Sequence, residues 1–175
     1  MNRNLILLLA AGALGIILLS LAMNQNSFFG MTPSTPADTQ SQAESADATA
    51  AKSMVAQALE YVDQHGMVAL IEKVNAAAPE FHQGQFYVFV LDNAGTIVAH
   101  PIDPSWVGVT DETGRDADGN VFLAQMAAAA AENPDGSWFD YRWPHPITKE
   151  VGTKSSWITM RDDHVVGVGI YLEEE

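Results

Sequence analysis

Apolar positions in this chain change their period three times, and each change predicts an element. From Ala51 to about Ala78, Met54, Val55, Ala58, Leu59 and Val62 recur at helical spacing, followed by Met67, Leu70, Ile71 and Val74. Gly66 interrupts the run and predicts a helix junction or kink, and Pro79 stops it. The period then falls to two. Gln85–Leu91 (QFYVFVL) is β-branched and aromatic, which predicts a strand. Asp92-Asn93-Ala94-Gly95 is a turn, and Thr96–His100 returns as the second strand of a hairpin. Residues 101–119 form a long loop with an isolated Trp106, and loops of that length in a compact domain tend to carry function. Asn120–Glu132 predicts a short Ala-rich helix. Three strands come next, Trp138–Trp143, Lys154–Met160 and Val165–Tyr171, separated by turn signals. The expected fold is α+β: a five-stranded antiparallel sheet with a long N-terminal helix, the helices covering one face.

Before this domain, residues 5–23 (LILLLAAGALGIILLSLAM) carry no charge. As a helix they span roughly 28 Å, close to the ~30 Å hydrocarbon core of a bilayer. Arg3 precedes them and acidic residues dominate the remainder of the chain, so the positive-inside bias places the domain outside the cytoplasm. The expectation is a single-pass anchor in a bacterial inner membrane with a periplasm-facing domain. A signal peptide cleaved near Ser20-Leu21-Ala22 is the alternative, and would leave a soluble periplasmic protein. Residues 24–50 are rich in Ser, Thr, Pro, Gln, Ala and Asp and read as a disordered linker, with Phe28 and Phe29 near the membrane end. Residues 51–175 are the domain.

Charge removes several function classes. The net charge is −14, with eight Lys plus Arg, which excludes nucleic acid as an expected partner. There is no Cys, hence no disulfide, thiol nucleophile or zinc-thiolate site. No nucleophile elbow, HExxH or P-loop is present, and Gly167-Val168-Gly169 lies within a strand. Asp116-Ala117-Asp118-Gly119-Asn120 lacks the remaining ligands of a calcium loop and reads as a turn capping the helix at Asn120. No enzyme, cofactor or metal site is expected.

What remains is a binding constellation. In WFDYRWPHP, Phe139, Tyr141 and Trp143 share one strand face, and Trp138, Asp140 and Arg142 the other. In QFYVFVL, Phe86, Val88 and Val90 oppose Tyr87, Phe89 and Leu91. One face must pack on the long helix. The other carries hydroxyls and indoles that need polar partners when buried, as a small-molecule pocket does. Three of the domain's seven basic residues, Arg142, Lys149 and Lys154, flank the Pro-His-Pro bend and could supply charge for an anion. From the residues alone, the aromatic strand is either core or pocket wall.

The ordered set YVDQHGMVALIEKVN, FYVFVLDNAGTIVAHP, DADGN, GSWFDYRWPHP, KSSW and VVGVGIY resembles the single Cache domain of bacterial extracytoplasmic sensors, in its second single-Cache type. The resemblance covers almost all of residues 51–172. It implies a PAS-like antiparallel sheet and an extracytoplasmic pocket for a small metabolite, often a short carboxylate such as acetate, propionate, pyruvate or lactate. By motif match the pocket is lined by Tyr87, Phe89, His100, Trp106, Tyr141, Trp143 and Lys154. Such sensors usually continue through a second span into a signalling module, whereas this sequence ends at Glu175. The expectation is therefore a tethered binding domain without output of its own. The alternative is a periplasmic interaction module, or a co-receptor for a membrane receptor partner, with a vestigial pocket.

Overall fold

The computed structural model describes residues 45–173. The proposed anchor at 5–23 and the linker up to residue 44 lie outside the described residues. Among the described residues, no helix is long and apolar enough to cross a membrane.

Helix α1 (Ala46–His65) starts five residues earlier than the apolar period predicts. Ser45 caps it, its hydroxyl accepting from the Ala48 N–H at 3.1 Å, and Asp47 sits favourably in the first turn. The Ala-rich start contributes to the buried stripe through Ala48 and Ala51, which are too small to register as a hydrophobic period. Gly66 ends α1 with φ +84°, a conformation that favours glycine, and α2 (Met67–Asn75) begins immediately after it.

The sheet has six strands, all paired antiparallel: β1 (His82–Gln83), β2 (Phe86–Asp92), β3 (Ile97–Ala99), β4 (Ser137–Pro144), β5 (Val151–Arg161) and β6 (His164–Tyr171). Their order is β1-β2-β6-β5-β4, with β3 also paired to β2. The sixth strand is β1, whose two residues are too few to show alternation. The three strands expected at the C-terminal end form an antiparallel meander, β4-β5-β6, and β2 joins it by pairing with β6.

Alternation along β2 sorts its side chains to two cores. Val88 and Val90 join Ala99, Val166, Val168 and Ile170 against α1 and α2. Tyr87, Phe89 and Leu91 join Tyr141, Trp143 and Ile158 on the other face. That second face is covered by α3 (Leu123–Glu132) through Leu123, Met126, Ala127 and Ala130, so the helices do not all lie on one side. The long loop crosses the same face. Gly108 and Val109 bond Ile97 at the β3 edge, and Ala117 donates to the Arg142 carbonyl at the β4 edge. Between these ties, Ile102, Trp106 and Val109 pack onto the aromatic core.

The turn at 116–120 does not cap α3. Asp116 instead binds its own turn, accepting from the Asp118 and Asn120 amides at 3.1 and 2.7 Å. The cap comes from Asp111, twelve residues before Leu123. Its carboxylate accepts from Leu123 N–H at 2.9 Å, Ala124 N–H at 3.0 Å and Phe122 N–H at 3.3 Å. One side chain thus satisfies three amides that the helix cannot satisfy itself, and pins the loop to α3.

Candidate functional site

Register places three polar side chains in one row across the sheet. Tyr141 of β4 pairs with Lys154 of β5, and Lys154 pairs with Tyr171 of β6. Lys154 is 1% exposed. Its Nζ donates to Tyr87 Oη at 2.7 Å, from a strand not adjacent to its own. Four aromatic rings surround the amine, with centroids at 4.0 Å for Tyr87, 5.6 Å for Phe89, 5.8 Å for Tyr171 and 5.9 Å for Tyr141. Among the described residues Lys154 forms no ion pair with a carboxylate. Burial pushes its amine well below the ordinary lysine range, because the charged form loses hydration.

Two glycines of β6 make this packing possible. A Cβ on Gly169 would stand 2.0 Å from Lys154 Cε, and one on Gly167 would stand 2.5 Å from the Phe89 ring. The pair Gly167 and Gly169 thus clears a floor under the lysine and the phenylalanine. Alternate glycines inside a strand were the available signal for this close approach.

The neighbouring groups are neutral. Tyr141 Oη lies 3.2 Å from Ser156 Oγ, and Tyr171 Oη donates to the Pro144 carbonyl at 2.7 Å. Burial is the first cause raising the pKa of Tyr87, Tyr141 and Tyr171 above the usual phenol value, so all three keep their protons. His100 is 5% exposed. Its Nδ1 accepts from the Asp103 N–H at 3.1 Å, which leaves the proton of the neutral ring on Nε2. Burial, and after it Lys154 when it carries its proton, lowers its pKa from 6.5 to about 4. The His100 backbone is held by Asn75, whose Oδ1 accepts from the His100 N–H while its Nδ2 donates to the Val98 carbonyl, both at 3.1 Å.

Aromatic contacts build the walls. Phe122 stacks on Tyr141 with centroids 5.0 Å apart and planes at 18°. Trp143 touches Trp106 at 4.6 Å, Tyr141 and Phe122 at 5.6 Å, and His100 at 6.3 Å. These walls bound two adjoining spaces. An inner void of about 20 Å³, lined by Phe89, His100, Phe122, Met126, Tyr141, Trp143 and Lys154 among others, has room for about one water. An outer cleft of about 250 Å³ is lined by Tyr87, His100, Asp103, Trp106, Trp143, His145 and Lys149 among others. His100 and Trp143 border both.

All seven residues named from the sequence therefore meet at these two spaces. Phe89, Tyr141 and Lys154 face the inner one, Tyr87 and Trp106 the outer, and His100 and Trp143 both. Arg142 is engaged elsewhere, with Nη1 donating to Thr153 Oγ1 at 2.9 Å and Nε 3.7 Å from Asp118. On the α1 side Trp138 packs with Trp157 at 5.4 Å, and Lys52 of α1 lies over Trp157 at 4.1 Å. WFDYRWPHP is thus core on one face and cavity wall on the other. His145 holds the Pro-His-Pro bend: its Nδ1 accepts from the Ile147 and Thr148 amides at 3.2 Å, and Nε2 meets Gln85 Oε1 at the same distance. Phe122, Met126, Ser156 and Tyr171 were missed by sequence reasoning, because nothing in their local pattern separates them from ordinary core.

Comparison with known proteins gives one family and one fold. Residues 36–174 match the family model described as single Cache domain 2. No curated protein matches the chain. Among solved structures, a methyl-accepting chemotaxis protein from Vibrio parahaemolyticus RIMD 2210633 is similar at TM-score 0.59 and 21% identity, over 71% of this chain and 88% of that one. A Cache chemosensory domain described by its carboxylic acid recognition is similar at TM-score 0.54 and 18% identity, with the same coverage. The periplasmic sensor domain of a chemotaxis protein gives TM-score 0.55 and 23% identity, over 71% of this chain and 90% of that one.

Proposed function

Because this chain belongs to the single Cache domain 2 family, we propose that it is an extracytoplasmic sensor-type domain that binds a short carboxylate, held to the inner membrane by residues 5–23 through a linker. The observation that carries this reading is Lys154, a fully enclosed amine with one hydroxyl partner and, among the described residues, no carboxylate. An ammonium buried without an anion is costly, and truncating it would relieve the fold. A site that keeps an amine there has a use for the positive charge an arriving anion would favour on it. The similar fold that recognises carboxylic acids supports the same ligand class.

In this reading the ligand enters by the outer cleft, between Trp106 and the Pro-His-Pro bend. Its carboxylate accepts charge-assisted hydrogen bonds from Lys154 Nζ and from the hydroxyls of Tyr87 or Tyr141. His100, neutral with its proton on Nε2, donates without adding charge. Phe89, Trp106 and Trp143 enclose the apolar part. The 20 Å³ inner void is too small for a carboxylate as it stands, so His100 and Trp143, which border both spaces, yield when the head group reaches Lys154.

The test is a thermal-shift series on the full chain in mild detergent, with acetate, propionate, pyruvate and lactate set against their neutral amides. A ligand at a hundredfold over its Kd adds roughly 2.7 kcal/mol, enough to raise Tm by several degrees. At least one carboxylate should shift the transition while its amide does not. Equal responses, or none, would refute the reading.

A further inference from the structure

The groups that face Lys154 define its charge state before any ligand arrives. Tyr87 comes from β2, His100 from the end of β3, Tyr141 from β4, Ser156 from its own strand and Tyr171 from β6. The three phenols keep their protons and His100 is neutral at pH 7. None of these groups brings a negative charge. Of the three hydrogen positions on an ammonium, one meets Tyr87 Oη, and aromatic rings crowd the rest of its surroundings. The Tyr87 face at 4.0 Å offsets desolvation only in part. A lysine in such a place gives up its proton to solvent rather than keep an uncompensated charge.

A carboxylate entering this space would be the first anion the amine meets. Its field favours the ammonium, and the ammonium in turn holds the carboxylate. Resting on the carboxylate reading of the site, we propose that the site takes up a carboxylate together with one proton, so that it recognises the acid, stored as an ion pair. The balance is simple. A neutral Lys154 amine gains one proton from solvent on Nζ, and the anion RCOO⁻ settles beside the ammonium formed. No other bond changes.

Affinity for the anion then falls tenfold for each pH unit of rise, between the amine pKa of the empty site and that of the occupied one. The domain would report acidification and carboxylate as a single signal.

Two measurements test this. The first is calorimetry on the full chain with acetate, propionate, pyruvate and lactate at pH 8, in phosphate and in Tris. These buffers differ in ionisation heat, so the change in observed enthalpy counts protons. Uptake approaching one proton per carboxylate is expected. Carboxylate binding with no proton uptake overturns the coupling and leaves the carboxylate site standing. No binding of any carboxylate overturns both. The second needs no ligand: urea unfolding of the wild type and Lys154→Met at pH 7 and pH 9. The unfolded lysine keeps its proton while the folded one does not. The wild type must therefore gain on the variant as pH rises, by up to tenfold in the folding constant per unit. A difference that stays flat with pH overturns the proposal.

Discussion

Replacing His100 with Asn removes a titratable group that the fold keeps neutral, while leaving an amide oxygen to accept the Asp103 N–H in place of Nδ1. The ring is 5% exposed, and protonating Nδ1 would break that 3.1 Å bond. Its pKa is lowered from 6.5 to about 4, first by burial and then by Lys154 when that amine is protonated. The folded pKa lies below the unfolded one, so the unfolded chain takes the proton first as pH falls. The stability tied to neutral His100 is therefore fully present above 6.5 and is lost as pH drops towards 4. At about 1.4 kcal/mol per pH unit, that window is worth about 3 kcal/mol. The assay is urea unfolding followed by Trp fluorescence at half-unit steps from pH 7.5 to 3.5, for the wild type and His100→Asn. Asp103, Asp116 and Glu80, whose carboxyls are held below their usual values, add losses of their own at the acid end. Taking the difference between the two proteins removes most of that contribution. The wild-type advantage should shrink by about 3 kcal/mol between pH 6.5 and 4 and level off below. Two curves running parallel across that window would refute the assignment of a buried neutral imidazole.

Three further outcomes rest on the same geometry. Gly169→Ala places a Cβ 2.0 Å from Lys154 Cε and 2.7 Å from Ser156 Oγ, so overpacking should cost about 1–3 kcal/mol in urea unfolding and abolish the carboxylate thermal shift; an unaffected shift would mean that Lys154 does not need this floor. Tyr87→Phe strips the amine of its 2.7 Å partner and should destabilise the free domain by about 1–3 kcal/mol, most of it recovered in the double variant with Lys154→Met, which a double-mutant cycle measures. Asp111→Ala frees three amides at the start of α3 and should cost about 1–2 kcal/mol in the same unfolding assay, whereas Asp116→Ala leaves that cap in place.

Much of the site could be read from local pattern. Alternation in QFYVFVL placed Tyr87 and Phe89 opposite Val88 and Val90, and the two sets do enter different cores. Alternation in WFDYRWPHP likewise put Tyr141 and Trp143 together. Gly66, between two helical runs, is the junction of α1 and α2. The cap of α3 differs from the sequence expectation because Asp116 and Asn120 lie nearer the helix in sequence, whereas Asp111 reaches it only through the path of the loop. Strand β1 escaped because two residues carry no period.

The class of fold, the side of each strand its residues face, and the concentration of aromatics and cations in one region were all legible along the chain. Those properties are local: they depend on backbone periods of 3.6 and 2 and on which residues lie within a few positions of each other. Only the assembled strands enclose Lys154 with no anion among the described residues, while Arg142, twelve residues earlier, pairs with Asp118 near the surface. That difference is set by partners far away in the chain, Tyr87 across the sheet and Gly169 on the next strand. Burial is a property of everything packed around a group, and the desolvation that changes a lysine from a solvated charge into a binding element comes into being only when the strands assemble.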